Sequence, residues 1–168
     1  MNKFLKFLTF MCWFAFIGMV LLICYLSFQP QSQAKVVDKD ITMKIAERFY
    51  DMSSMTEEET AHIIWVIRTQ CRVFLFCALG LIGTATIHLT FRKINWFFRA
   101  VISVFILVAI AVFTEKFKEY LPTRHFSQEE MIYSIAGVMI GFVLVSAVTL
   151  VYSLVKWIAG KIINSLRR

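Results

Sequence analysis

At 168 residues the chain is long enough for one compact unit and too short for two domains. Apolar residues make up 59% of it, with 17 Phe and only 2 Pro, against roughly 45–50% apolar in a soluble domain, which excludes a soluble globular fold. The net charge of +7 is scattered at the ends of apolar segments with no aromatic-interleaved basic groove, which excludes nucleic acid as a partner and reads as topogenic.

Four apolar stretches follow in chain order. The first, about 7–28, has the ~20 residues that a helix rising 1.5 Å per residue needs to cross a bilayer. Lys3 and Lys6 precede it, and Ser32-Gln33-Ala34 offers a cleavage-like site, but the stretch exceeds a secretory h-region of ~7–15 residues, so a retained span is expected. Residues 29–60 are expected to form an external connection. Within it Val37, Ile41, Ile45, Phe49 and Met52 mark one face of a short amphipathic helix that lies on the outer leaflet, covers the bundle or is a plain solvated linker.

Thr56-Glu57-Glu58-Glu59 reads as a capping box opening a second helix over 57–91, with 71–91 in the membrane. Trp65 is placed as an interfacial anchor. Arg68 and Arg72 lie four residues apart on one face, where like charges repel and an arginine at mid-bilayer costs at least ~2.5–3.5 kcal/mol. Two explanations stand: the pair snorkels to lipid phosphates, or it forms the floor of a polar pocket that holds an anion.

The third helix is expected over 96–114, and the connection 115–130 opens with Glu115, the obvious carboxylate partner for the arginines. Pro122 turns the chain, and Ser127-Gln128-Glu129-Glu130 is a second capping box ahead of a fourth helix over 131–158. That helix is longer than a span requires, so it tilts or emerges with Lys156 and Lys161 at headgroup level. Gly137 and Gly141 on helix four, with Ser134, and Gly80, Thr84 and His88 on helix two, read as close-packing faces. His88 is expected to hydrogen-bond to a neighbouring helix or headgroup and not to be catalytic.

Charge orients the four spans. Lys3, Lys6, Arg92, Lys93, Arg99, Lys156, Lys161, Arg167 and Arg168 fall on one side with no acidic residue, whereas all eleven Asp and Glu fall on the other. The positive-inside rule then puts both termini in the cytoplasm of a multi-pass cell-membrane protein. Cys12, Cys24, Cys71 and Cys77 sit in or beside apolar segments without a C-x-x-C pair, so neither a metal site nor a disulfide framework is expected. The expected fold is an all-α membrane bundle of four helices with a short external amphipathic helix.

Three local patterns resemble the VanZ-like family of small bacterial membrane proteins. Ser27-Phe28-Gln29-Pro30-Gln31-Ser32 is similar to the family's S-S-Q-P-G segment. Residues 68–80, from Arg68 to Gly80, align without gaps to R-K-x-x-H-F-x-E-Y-x-x-L-G. Glu115, Pro122, Arg124, Ser127, Glu130, Gly137 and Gly141 fall at the spacing of D-E-x-H-Q-x-x-x-P-x-R-x-x-S-x-x-D-x-x-x-x-x-x-G-x-x-x-G. The chain departs from the family at Arg72 (usually His), Leu75 (often Glu), Thr114 (Asp), Phe117 and Lys118 (His-Gln) and Ser134 (Asp). With most titratable members gone, anion binding suits the remainder better than proton transfer.

The resemblance implies a non-enzymatic envelope protein with no cofactor, binding an anionic lipid headgroup or a lipid-linked cell-wall precursor at its outer face and lowering susceptibility to teicoplanin-type glycopeptides. Arg68, Arg72 and Arg124 would contact phosphate or carboxylate and Glu115 would orient them, with Gln29, Pro30, Pro122 and Ser127 in support. Two other classes are carried alongside. One is a membrane enzyme acting on lipid-linked substrates, for which only Glu115, His125 and Ser127 are at hand. The other is a small channel or an accessory subunit of a larger complex, with homo-oligomerisation through Gly137 and Gly141 as the route to a pore.

Overall fold

A computed structural model describes residues 3–28, 57–120 and 127–166. Among the described residues there are four α-helices: α1 (Lys3–Phe28), α2 (Glu57–Thr90), α3 (Trp96–Lys116), continued by a 3-10 turn over Phe117–Tyr120, and α4 (Gln128–Leu166). All four are long and apolar enough to cross a membrane, and no strand occurs among the described residues. The expected amphipathic helix, Gln29, Pro30, Pro122 and Arg124 lie outside the described residues.

Four boundaries differ from those read off the apolar pattern: α1 begins at Lys3 and not near residue 7. Helix α3 does not stop at residue 114: it runs through Glu115 and Lys116, so the segment expected as loop begins as buried helix. Helix α4 starts at Gln128, where the Glu130 N–H donates to Ser127 Oγ at 3.5 Å, and the Glu130 carboxylate turns to Arg72 and Lys118. It then continues to Leu166. Its 39 residues span roughly 58 Å at 1.5 Å each, well beyond a hydrocarbon layer of ~30 Å. Residues 150–162 are exposed throughout, with the Lys161 ammonium 4.4 Å from the Trp157 ring centroid, an amphipathic pair suited to headgroup level.

Neighbouring helices alternate in direction, which makes α2 and α4 parallel, and these two share the largest interface. Their contact is a glycine seam. A Cβ on Gly137 would lie 2.6 Å from the Val73 carbonyl oxygen; on Gly80 it would strike the Val138 carbonyl, and on Gly141 the Cys77 carbonyl. Backbones this close need glycine because no rotamer change relieves a clash with a carbonyl. In lipid, association rests on packing of this kind, since the tails are as apolar as leucine. Gly137 and Gly141 therefore face α2 of the same chain, not a second copy.

Helix α3 lies against α2 and α4 through Leu107 and Ala111, which join Phe76, Leu79 and Val138 in the core. Gly83, which spacing alone did not single out, leaves room for Leu107 and for the ring of Phe16 on α1. Helix α1 is peripheral, burying only Phe16 and Ile23. It is pinned near its middle by Trp13 Nε1, which donates to Thr90 Oγ1 at 3.0 Å, and at its C-terminal end by Phe28 against Phe117, centroids 4.8 Å apart.

Replacing Gly141 by Ala should lower the unfolding free energy in detergent by about 1–3 kcal/mol, the usual cost of overpacking. Gly160→Ala, with open space around it, should be neutral or stabilising by up to ~1 kcal/mol through helix propensity. Thermal or denaturant unfolding of the purified protein measures both.

Candidate functional site

Three helices bring charge together at one end of the bundle. Arg72, four turns into α2, points its Nη1 at two carboxylates: Glu115 Oε1 of α3 at 2.9 Å and Glu130 Oε2 of α4 at 2.8 Å. Lys118, in the 3-10 turn, places Nζ 2.6 Å from Glu115 Oε2 and 3.2 Å from Glu130 Oε2. The result is a closed ring of two cations and two carboxylates with no net charge. Glu115 and Lys118 are each only 1% exposed.

Charges so deeply buried are tolerable only as a mutually satisfied set. Removing an ion from water costs several kcal/mol, and the ring returns that only because every member has two opposite partners. The ring also ties α2, α3 and α4 together where their apolar stretches end. Glu115 and Lys118 stand three residues apart on successive turns, a spacing that lets both side chains reach the same side. Thr114 beside them bonds back to its own helix, its hydroxyl donating to the Ile110 carbonyl at 3.0 Å.

Beside the ring opens a cleft of about 80 Å³ between the first turns of α4 and the upper part of α2. Arg68, Arg72 and Thr69 line one wall and Ser127, Glu129 and Glu130 the other. Trp65 and Tyr133 complete it, their rings edge-to-face with centroids 6.5 Å apart. Trp65 is half exposed, at a level suited to an interfacial aromatic.

Of the site residues named from sequence, Arg68, Arg72, Glu115 and Ser127 come together at this end, and Gly80, Gly137 and Gly141 form the seam along α2 and α4. Arg72 and Glu115 are joined directly. Arg72 is not left facing an external anion, because Glu115 and Glu130 already hold it. Lys118 and Glu130 were missed as ring members. Lys118 drew notice only as a departure from a family pattern, yet its i,i+3 spacing from Glu115 was the available signal. Tyr133 carried no signal, since only the approach of α4 to α2 sets it beside Trp65.

Comparison with protein-family models, with curated proteins and with solved structures finds no match. Among the described residues no group of three or more His, Cys, Asp or Glu is placed to hold a metal ion. What the site can do follows from its geometry: a neutralised, rigid ring supports a small cleft in which a second arginine and two aromatic rings meet the end of a membrane helix.

Glu115→Gln removes the carboxylate shared by Arg72 and Lys118 and should destabilise the protein by about 3–5 kcal/mol, the cost of breaking a buried pair. Lys118→Met should also destabilise, and the double variant should lose clearly less than the sum. Additive losses in denaturant unfolding would show that the two residues do not act as one network.

Proposed function

We propose that the chain is a non-catalytic multi-pass protein of the cell envelope that binds a phosphate-bearing headgroup in this cleft. The headgroup belongs to a membrane lipid or to a lipid-linked cell-wall precursor. The observation that carries this reading is the meeting of Arg68 with Trp65, Tyr133 and Ser127 in one cleft at the end of the apolar spans. Arg68 donates to a phosphate oxygen, and Arg72, held by Glu115 and Glu130, keeps the wall rigid and its own charge in place. The rings of Trp65 and Tyr133 offer apolar faces to the first carbons of the ligand.

The charge bias of the connections supports placing this end outside the cell and both termini in the cytoplasm. The likeness to VanZ-like segments supports extending the role to lowered susceptibility to teicoplanin-type glycopeptides.

Arg68→Gln should weaken phosphatidylglycerol binding about tenfold or more, as expected for one charged hydrogen bond of ~1.5–3 kcal/mol, with little change in thermal midpoint. Native mass spectrometry of the detergent-solubilised protein titrated with that lipid measures it, and equal affinity in wild type and variant would remove the headgroup role. In a cysteine-free background, Glu119→Cys should react with a membrane-impermeant maleimide added to intact cells. Reaction only after lysis would reverse the proposed orientation.

A further inference from the structure

We propose that the opposite end of the bundle carries a second, separate oxyanion site, built from Arg99, His88, Thr84 and Ser146, which takes a phosphate group. The starting point is a set of buried polar atoms without hydrogen-bond partners: Thr84 Oγ1, both ring nitrogens of His88, Arg99 Nε and Ser146 Oγ. Thr84 is fully buried, His88 4% exposed and Ser146 5% exposed. A polar group left unpaired in such surroundings costs about 1–3 kcal/mol, so a cluster of them has hydrogen-bonding capacity that a ligand can take up.

The hydroxyls make the point by contrast. Thr86, Ser103, Thr114 and Ser134, equally buried on the same helices, each donate to the carbonyl four residues back. That is the ordinary way a hydroxyl is satisfied in a membrane helix. Thr84 and Ser146 make no such bond and are available to a group from outside their helices.

Helix register brings the four residues within about one helical turn of each other along the bundle. Trp96 Nε1 of α3 donates to Thr149 Oγ1 of α4 at 3.2 Å, which sets Arg99, one turn further along α3, opposite Ser146, one turn back along α4. Arg99 Nη1 donates to the His88 carbonyl of α2 at 3.4 Å, and Thr84 stands one turn above His88. Gly80 against Gly141 fixes the α2–α4 register, so Thr84 comes level with Ser146.

Charge decides what the ligand is. At the other end Arg72 and Lys118 are balanced by carboxylates, but all eleven acidic residues fall between 38 and 59 or between 115 and 130. Both of those connections leave and re-enter the bundle at the end of the ring. Among the described residues no Asp or Glu lies at the Arg99 end of the bundle, so the ligand supplies its counter-charge. The donor set is a guanidinium N–H, one imidazole N–H and two hydroxyls, which suits an acceptor-only oxyanion such as phosphate and not a cation. Free phosphate and the phosphodiester of a lipid in the adjacent leaflet present the same oxygens.

Delipidated full-length protein in a neutral detergent, followed by thermal unfolding, tests this. Sodium phosphate against sodium chloride at matched ionic strength is one arm, and short-chain phosphatidylglycerol against a neutral diacylglycerol is the other. A saturable rise in midpoint is expected in at least one arm. The phosphate arm alone would indicate a soluble ligand and the lipid arm alone a headgroup. Arg99→Gln should weaken that response about tenfold or more, whereas Arg68→Gln should leave the Arg99-dependent part intact. Should Arg99→Gln fail to fold, Ser146→Ala and His88→Asn replace it, each expected to weaken the response several-fold. No rise in either arm would overturn the site, as would a response unchanged in these variants, whatever the outcome at Arg68.

Discussion

A carboxylate and an ammonium sealed in the interior of a lipid-facing bundle must find their counter-charges inside the protein, and that requirement organises one end of this molecule. Glu115 and Lys118 are both almost inaccessible, and Arg72 of α2 and Glu130 of α4 close the set. Because the ring draws on three helices, it fixes their relative heights: a shift of one helix by a turn, ~5.4 Å, would separate two of its four pairs at once. Neutrality here is a matter of geometry as well as count, since two lone carboxylates and two lone cations at that depth would each be severely destabilising.

Below the ring the same heights are enforced by contact. Gly137 and Gly141 let the backbone of α4 approach the carbonyls of Val73 and Cys77 on α2, and Gly80 returns the approach. With lipid outside, packing two apolar helices together gains little from leaving the solvent, so close backbone contact and satisfied polar groups carry the association. Helix α1 lacks both devices along most of its length, and it sits accordingly at the periphery with most of its large apolar side chains exposed.

The two ends of the bundle treat cations differently. At one end every described cation of the ring has a carboxylate, and a small cleft lies beside it under Trp65 and Tyr133. At the other, Arg99 donates to the His88 carbonyl and the buried hydroxyls of Thr84 and Ser146 have no hydrogen-bond partner, at an end where the described residues supply no acid. One end is closed by internal ion pairs, and the other offers donors to a ligand. This division follows from the confinement of acidic residues to two connections, both at the same end.

The sequence by itself determined the class, the number of apolar spans and Glu115 as a partner for the arginines of the second helix, without choosing between Arg68 and Arg72. Apolar length sets how much chain can lie in lipid, and a lone buried carboxylate beside an arginine-bearing helix leaves few other partners. Glycine spacing likewise marked the α2–α4 seam. The tertiary structure decided that Lys118 and Glu130 belong to the ring, that α3 stays helical past Thr114, and that Arg72 is held internally while Arg68 borders the cleft. Those outcomes depend on which helices touch and at what height, and periodicity within one helix carries no information about its neighbour. A lysine in an outer segment reads as solvated until three helices are seen to close around it.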